Sequence, residues 1–329
     1  VPNPPRAGAR YHGDQAALPG MLDFAVNVRP GGPPSWLTDR LAARLPDLGS
    51  YPSAALVGRA ADEVALLAGG AEGFALLAGL RPQLAALVAP SFTEPEAVLA
   101  AAGVPIHHVV LPYPFTLTAA GVPDEADLVV VGNPTNPTGV LHRREEILAL
   151  RRPGRLLVVD EAFADGVPGE AHTLAGESLP DVLVLRSLTK TWALAGLRVG
   201  YALGAPDVLA RLTAPRPHWP LGTLQLEAIA AASSPEAVAE AAAASRRLAE
   251  LRAAMVAGLD GLGLGVVAGD APFVLFTVPD AELMRKHLES KGIAVRRCDT
   301  FVGLPENYLR AAVRPEWPAL IDAMTEVLQ

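Results

Sequence analysis

The chain has 329 residues, 50% of them hydrophobic and 19% charged, which is enough to bury the core of one large or two moderate globular domains. Its formal net charge of −8 argues against non-specific binding to nucleic acid or anionic membranes, which needs a basic face. Cys298 is the only cysteine, so an internal disulfide is excluded and a cysteine-built metal site is not expected. The longest apolar candidate, residues 65–88, is broken by Glu72 and Arg81, so no membrane span is expected. The opening VPNPPRAGARYHGD lacks the apolar core of a secretion signal, and a reducing cytoplasm is the expected location.

In chain order, the first twenty residues are rich in Pro, Gly and Arg and read as an extended arm. MLDFAVNV (21–28) alternates like a short strand and stops at PGGPP. Residues 36–45 have helical spacing closed by Pro46, and Tyr51-Pro52 falls in a loop before a further helical stretch. In GGAEGFALLAGL (69–80) a glycine pair precedes Ala71, Glu72 and an apolar helix. A helix start of that kind receives anions, because small residues admit them and free N–H groups point at them. An ordinary glycine-rich loop fits that stretch equally well.

From there apolar run, turn and helix repeat. LAALVAP (84–90) precedes a helix starting near Thr93 and Glu94, and DLVVVGNPTNPTG (127–139) is a strand running into a proline-rich loop before the helix REEILAL. RLLVVDEAF (155–163), VLVLRSLTK (182–190) and RVGYALG (198–204) are further strands. Continuous apolar strands separated by helices predict an α/β fold with a mostly parallel sheet covered on both faces. Ligands of such sheets sit at the carboxyl ends of the strands, where Asn136, Asp160, Ser187 and Lys190 fall. The alanine-rich residues 223–262 predict one long connecting helix. Beyond it, PFVLFTVP, AELMRKHLESKG, IAVRRC, YLRAAVR and a last helix from Pro315 predict a smaller α+β domain. The expected division is a large domain over 46–222, the connector over 223–262, and a small domain built from 1–45 and 263–329.

The chemistry centres on SLTKTWALAGLRVGY (187–201). A lysine leaving a buried strand has its amine freed by partial burial and suits Schiff-base formation. Ser187, Thr189 and Arg198 around Lys190 suit a phosphate. An aldehyde for the lysine and a phosphate for the cluster together point to pyridoxal phosphate. Asp160 reads either as a strand-end cap or as the carboxylate that keeps a pyridine nitrogen protonated. Asn136 reads as a turn residue or as a donor to the ring oxygen, and Phe92 as core or as a flat cover for one ring face. Arg310 reads as a solvated strand charge or as a fork for a substrate carboxylate.

With these residues in this order, the chain resembles, over nearly its whole length, the fold type I pyridoxal-phosphate-dependent class I/II aminotransferases, of histidinol-phosphate aminotransferase type. The resemblance implies that Lys190 holds the cofactor and shuttles the proton, that Asp160 in VVDEAF partners the ring nitrogen, and that Asn136 in NPTNPTG donates to the ring oxygen. It assigns Ala71, Glu72, Ser187 and Arg198 to the phosphate cup, Phe92 to ring stacking, and Asn27 and Arg310 to the substrate carboxylate. Tyr51 matches a tyrosine that reaches the phosphate of the neighbouring subunit, which implies a homodimer with shared sites. Phe163 stands where histidinol-phosphate aminotransferases usually have tyrosine. With YHGD, CDTFVGL and LRAAVR, it resembles the cobalamin-pathway branch that contains threonine-phosphate decarboxylase. Asp14 and Pro272 depart from that branch, where glycine and asparagine are usual. The expected reaction is decarboxylation of threonine phosphate, with amino transfer to a 2-oxo acid as the alternative and a catalytically silent cofactor-binding protein as the alternative of another class.

Overall fold

A computed structural model describes residues 13–52, 62–118 and 121–328. The tyrosine and histidine of YHGD and the helical stretch expected after Pro52 lie outside the described residues. Seven strands form the large sheet: β2 (Val64–Leu67), β3 (Ala85–Ala89), β4 (Ile106–Val110), β5 (Leu128–Gly132), β6 (Leu156–Asp160), β7 (Val182–Ser187) and β8 (Gly200–Gly204). β1 (Leu22–Asp23) precedes them outside this sheet. The spatial order is β2-β8-β7-β6-β5-β3-β4. β4, β3, β5, β6 and β7 run parallel, while β8 is antiparallel to both β7 and β2.

Successive side chains on a strand face opposite ways, so a sheet covered on both sides needs apolar residues at every position. Val129, Val131 and Val159 enter one buried cluster, and Leu128, Val130 and Val158 enter the other. The helices that follow are α1 (Ser35–Ala42), α2 (Gly70–Leu77), α3 (Glu94–Ala101), α4 (Arg144–Leu148), α5 (Pro206–Thr213), α6 (Thr223–Ala232) and α7 (Pro235–Gly261). No helix among the described residues is long and apolar enough to cross a membrane.

A smaller antiparallel sheet, ordered β12-β13-β10-β9, is built from β9 (Gly265–Val266), β10 (Phe273–Thr277), β12 (Arg296–Arg297) and β13 (Tyr308–Ala312). With α8 (Ala281–Ser290), α9 (Trp317–Leu328) and the end of α7 it encloses Met255, Phe276, Met284, Leu309 and Met324. Phe24 joins this core, and β1 pairs in parallel with β11 (Ile293–Ala294).

Four elements differ from the sequence expectations. The strand at 21–28 is only two residues long, because Asp23 Oδ1 accepts the N–H groups of Ala25 (2.8 Å) and Val26 (2.9 Å) and turns the chain. Pro46 does not end the structure after α1; it sits in the first turn of a 3-10 helix, Leu45–Gly49, where its missing N–H is harmless. The alanine-rich stretch is two helices, because Ser234 caps α7 through Ala237 N (3.2 Å) and Pro235 follows it. IAVRRC divides at Val295, one part pairing with β1 and the other with β13.

Candidate active site

The start of α2 carries the anion site. Gly69 has φ +83°, and a Cβ there would lie 2.9 Å from Arg198 Nη2, so glycine is what lets the guanidinium lie against the helix start. A Cβ on Gly70 would stand 3.9 Å from Ser187 Cβ, and Ser187 Oγ lies 2.7 Å from Thr189 Oγ1. Arg198 itself holds φ +59°, a left-handed backbone uncommon outside glycine, and its carbonyl accepts from Gln225 Nε2 at 2.8 Å. The N–H groups of Gly70 and Ala71, in the first turn, have no acceptor within the helix. Glu72 N already bonds Gly69 O at 3.1 Å. The Glu72 carboxylate accepts from Ala68 N (2.6 Å) and pairs with Arg216 (2.9 and 3.0 Å). Its side chain therefore braces the helix start and leaves anion contact to its neighbours.

Phe92, Asn136 and Asp160 line one small cavity beside this cradle. Burial raises the Asp160 carboxyl to about 6, against the Ala162 N–H at 3.1 Å and the charge of Lys190. Burial first, and then Arg198 and Arg310, lower the Lys190 amine to about 8, with Asp160 opposing. Both groups are thus kept nearer their neutral forms than in water: the amine gains nucleophilic character, and the carboxyl is poised to pair with a cationic ring nitrogen. Lys190 Nζ lies 5.8 Å from the centre of the Phe163 ring, which packs edge-on against Phe273. Lys190, Asn27 and Phe163 also open onto a cleft of about 250 Å³ shared with Asp165, Leu248 and Pro272.

Arg310, buried on β13, donates to Asn136 Oδ1 and, at 2.7 Å, to the carbonyl of Ala25. With its amide oxygen facing the guanidinium, Asn27 accepts from Nη1 at 3.1 Å and from Nη2 at 3.3 Å. Among the described residues no carboxylate pairs with Arg310, and its Nε has no partner. Burial pushes it down to about 10, against the nearby Cys298 and reinforced by Arg296. A buried guanidinium held only by neutral oxygens is built to meet an anion. Tyr51, in contrast, is not brought to this cluster: it is 74% exposed and stacks on Trp219 with ring centres 4.1 Å apart.

Two features were not read from the sequence. Arg296, also buried, stands directly across the β12–β13 ladder from Arg310 and donates to Thr300 Oγ1 at 2.9 Å. The available signal was its place as an inward position in AVRRC. Under β7, Arg186 pairs with Glu161 (3.0 Å), Glu170 (2.7 Å) and Asp165, and Asp165 also faces Thr191 Oγ1 at 3.4 Å. An arginine ending the apolar run VLVL was the signal there.

The residues present fit pyridoxal phosphate: a glycine-started cradle for an anion, a slot walled by Phe92, a buried carboxylate and a desolvated amine. Fold and site together define a fold type I enzyme dependent on that cofactor. The chain belongs to the family Aminotransferase class I and II, which matches residues 53–318. It is 66% identical, over 98% of its length and 92% of the relative's, to a histidinol-phosphate aminotransferase of Mycobacterium bovis. It is 31% identical, over 89% of its length and 87% of the relative's, to a threonine-phosphate decarboxylase of Salmonella typhimurium. The crystal structure of a histidinol-phosphate aminotransferase from Clostridium acetobutylicum shares the fold, with a TM-score of 0.84 at 23% identity, covering 94% of this chain and 99% of that one.

Proposed function

We propose that the enzyme moves the amino group of a small phosphorylated amine of the histidinol-phosphate kind to a 2-oxo acid. The observation that carries this reading is the 66% identity over 98% of the chain with a protein of that name. The decarboxylation of threonine phosphate expected from the sequence has weaker support, at 31%, and amino transfer replaces it. Bound at the site, pyridoxal phosphate supplies the electron sink that lets the substrate Cα lose a proton.

In this reading Lys190 binds the cofactor and then carries the proton from the substrate Cα. Asp160 holds the ring nitrogen in its protonated form. Asn136 turns its oxygen to Arg310, which leaves its amide N–H groups for the ring oxygen. Phe92 covers one ring face, and Ala71, Ser187 and Arg198 hold the phosphate, with Glu72 bracing the helix start beneath it. Asn27 and Arg310 receive the anionic group of each substrate in turn and so set which bond at Cα faces Lys190. The chain is read as a large domain (46–222), a connector (223–262) and a small domain (1–45 with 263–329), acting as a cytoplasmic homodimer.

The test is to incubate the purified holoenzyme with histidinol phosphate and 2-oxoglutarate, and separately with threonine phosphate. Glutamate and the matching ketone phosphate are expected from the first mixture. Carbon dioxide from the second with no glutamate from the first would reverse the choice, and no turnover in either would favour a silent binder.

A further inference from the structure

The segment 23–36 straps the small sheet to the large one across Lys190. At its first end it belongs to the small sheet: Phe24 lies in that core, and Ala25 O and Asn27 engage Arg310. At its other end it belongs to the lysine loop. Arg29 N donates to Lys190 O at 3.0 Å, and the Trp36 ring meets the buried Trp192 edge-on at 5.5 Å. Between these anchors run Pro30, Gly31, Gly32, Pro33 and Pro34, with Gly31 and Gly32 at φ +82° and +79°. Such a stretch has no regular hydrogen-bonded structure to fix its path. One side chain from outside takes hold of both ends of it. Glu240, a half-buried residue of α7, accepts from Arg29 Nη1 at 3.1 Å and from Trp36 Nε1 at 2.9 Å. The ion pair is about one-third exposed, so it is a directed double hydrogen bond more than a buried charge pair.

We propose that Glu240 is a positioning residue that, by clamping Arg29 and Trp36, sets where Asn27 meets Arg310 over Lys190, and so tunes recognition of the substrate's anionic group. This rests on the reading of Asn27 and Arg310 as the anion-receiving pair. Glu240 touches none of the reacting groups itself. Its removal would leave the cofactor cradle at α2 intact but free the strap, and with it the amide of Asn27. A residue that only stabilised the fold would lower every property together.

The experiment measures binding of the unreactive dicarboxylate maleate to the holoenzyme by titration calorimetry, alongside cofactor affinity and the thermal midpoint. Glu240→Ala is expected to weaken maleate by about tenfold, the scale of one charge-assisted hydrogen bond, with cofactor affinity and midpoint near those of the parent. Glu240→Asp, which keeps both acceptor oxygens for Arg29 and Trp36 on a stem one methylene shorter, is expected to retain part of the affinity lost in Glu240→Ala. Unchanged maleate affinity in Glu240→Ala overturns the proposal, as does a parallel fall in all three properties in both variants. Arg310→Ala separates the two readings: if it leaves maleate binding intact, or if the parent binds none, the anion-site reading falls and the clamp falls with it. If Arg310→Ala abolishes binding and Glu240→Ala does not weaken it, only the clamp is lost.

Discussion

In water a lysine at pH 7 is almost wholly protonated, whereas burial brings Lys190 to about 8 from 10.5. The unfolded chain takes up this proton as pH falls below 10.5, the folded chain only near 8, so the penalty on the folded apoprotein is complete below that value. It amounts to about 3 kcal/mol, with the attraction of Asp160 already contained in that figure. Lys190→Met is therefore expected to raise the thermal midpoint of the apoprotein at pH 7, while borohydride, which fixes the cofactor to Lys190 in the parent, labels nothing in the variant. Labelling at another lysine would remove Lys190 from the centre of the site. Asp160→Ala is expected to slow turnover by about a hundredfold or more, the scale of one lost preorganised charge, with cofactor affinity falling far less; unchanged turnover would reduce Asp160 to a strand cap. His142, outside the site, is lowered by burial from 6.5 to about 4, with Glu146 opposing. Its Nε2 faces Thr135 Oγ1 at 3.1 Å and its Nδ1 is buried without a partner. Its contribution is whole above 6.5 and lost as pH falls toward 4, at most about 3 kcal/mol. His142→Leu should lose less urea resistance than the parent between pH 7 and 4.5; an equal loss would place the acid sensitivity elsewhere.

At the scale of elements, β7 depends on how its one charged residue is neutralised. Burial works against the Arg186 charge, but the anionic groups facing it, Asp165 first, hold its pKa above the usual range. Arg186→Met leaves Glu161 and Asp165 buried without their cation and is expected to cost about 3–5 kcal/mol in urea unfolding; a loss under 1 kcal/mol, the range of an exposed pair, would show that water reaches the cluster. This network also shows what sequence reading could and could not reach. Lys190, Asp160, Asn136 and the glycine-started α2 were legible because each lies beside its strand end or helix start within a short stretch. The elements β2 and β4 were not, since VALL is too short to separate strand from helix and IHHVV places two histidines on a half-covered edge strand. Arg296 and Glu240 act on partners brought close only by the fold, Arg310 across β12–β13 and Trp36 from α7. The burial of Glu161 and Asp165 is likewise a property of packing, which no local pattern carries.

For the whole molecule, the exposed Tyr51–Trp219 stack is an aromatic surface outside the chain's own Lys190 cluster. If the partner subunit completes the phosphate site, Tyr51→Phe and Lys190→Ala should each be poor alone and recover activity when dissociated and reassociated together. Random assortment gives intact sites in about a quarter of the total, as the two-fold symmetry of shared sites requires. Activity no greater than the sum of the two separate variants would assign Tyr51 to its own chain.

The reversed direction of β8 has a consequence for how this chain can vary. Because β8 runs back along β7, residues 188–199 leave and re-enter the sheet at the same end of its strands, with Lys190 near the exit and Arg198 near the return. Gly200 fixes that return, since a Cβ there would lie 2.9 Å from Gly70 N and 2.6 Å from Arg186 O. The loop thus works as a ruler between amine and guanidinium. Positions such as Gly196, where an added Cβ would meet nothing within 4 Å, are free to change identity. A gained or lost residue would move one reading of the ruler against the other, so descent in this segment is confined to substitution at constant length.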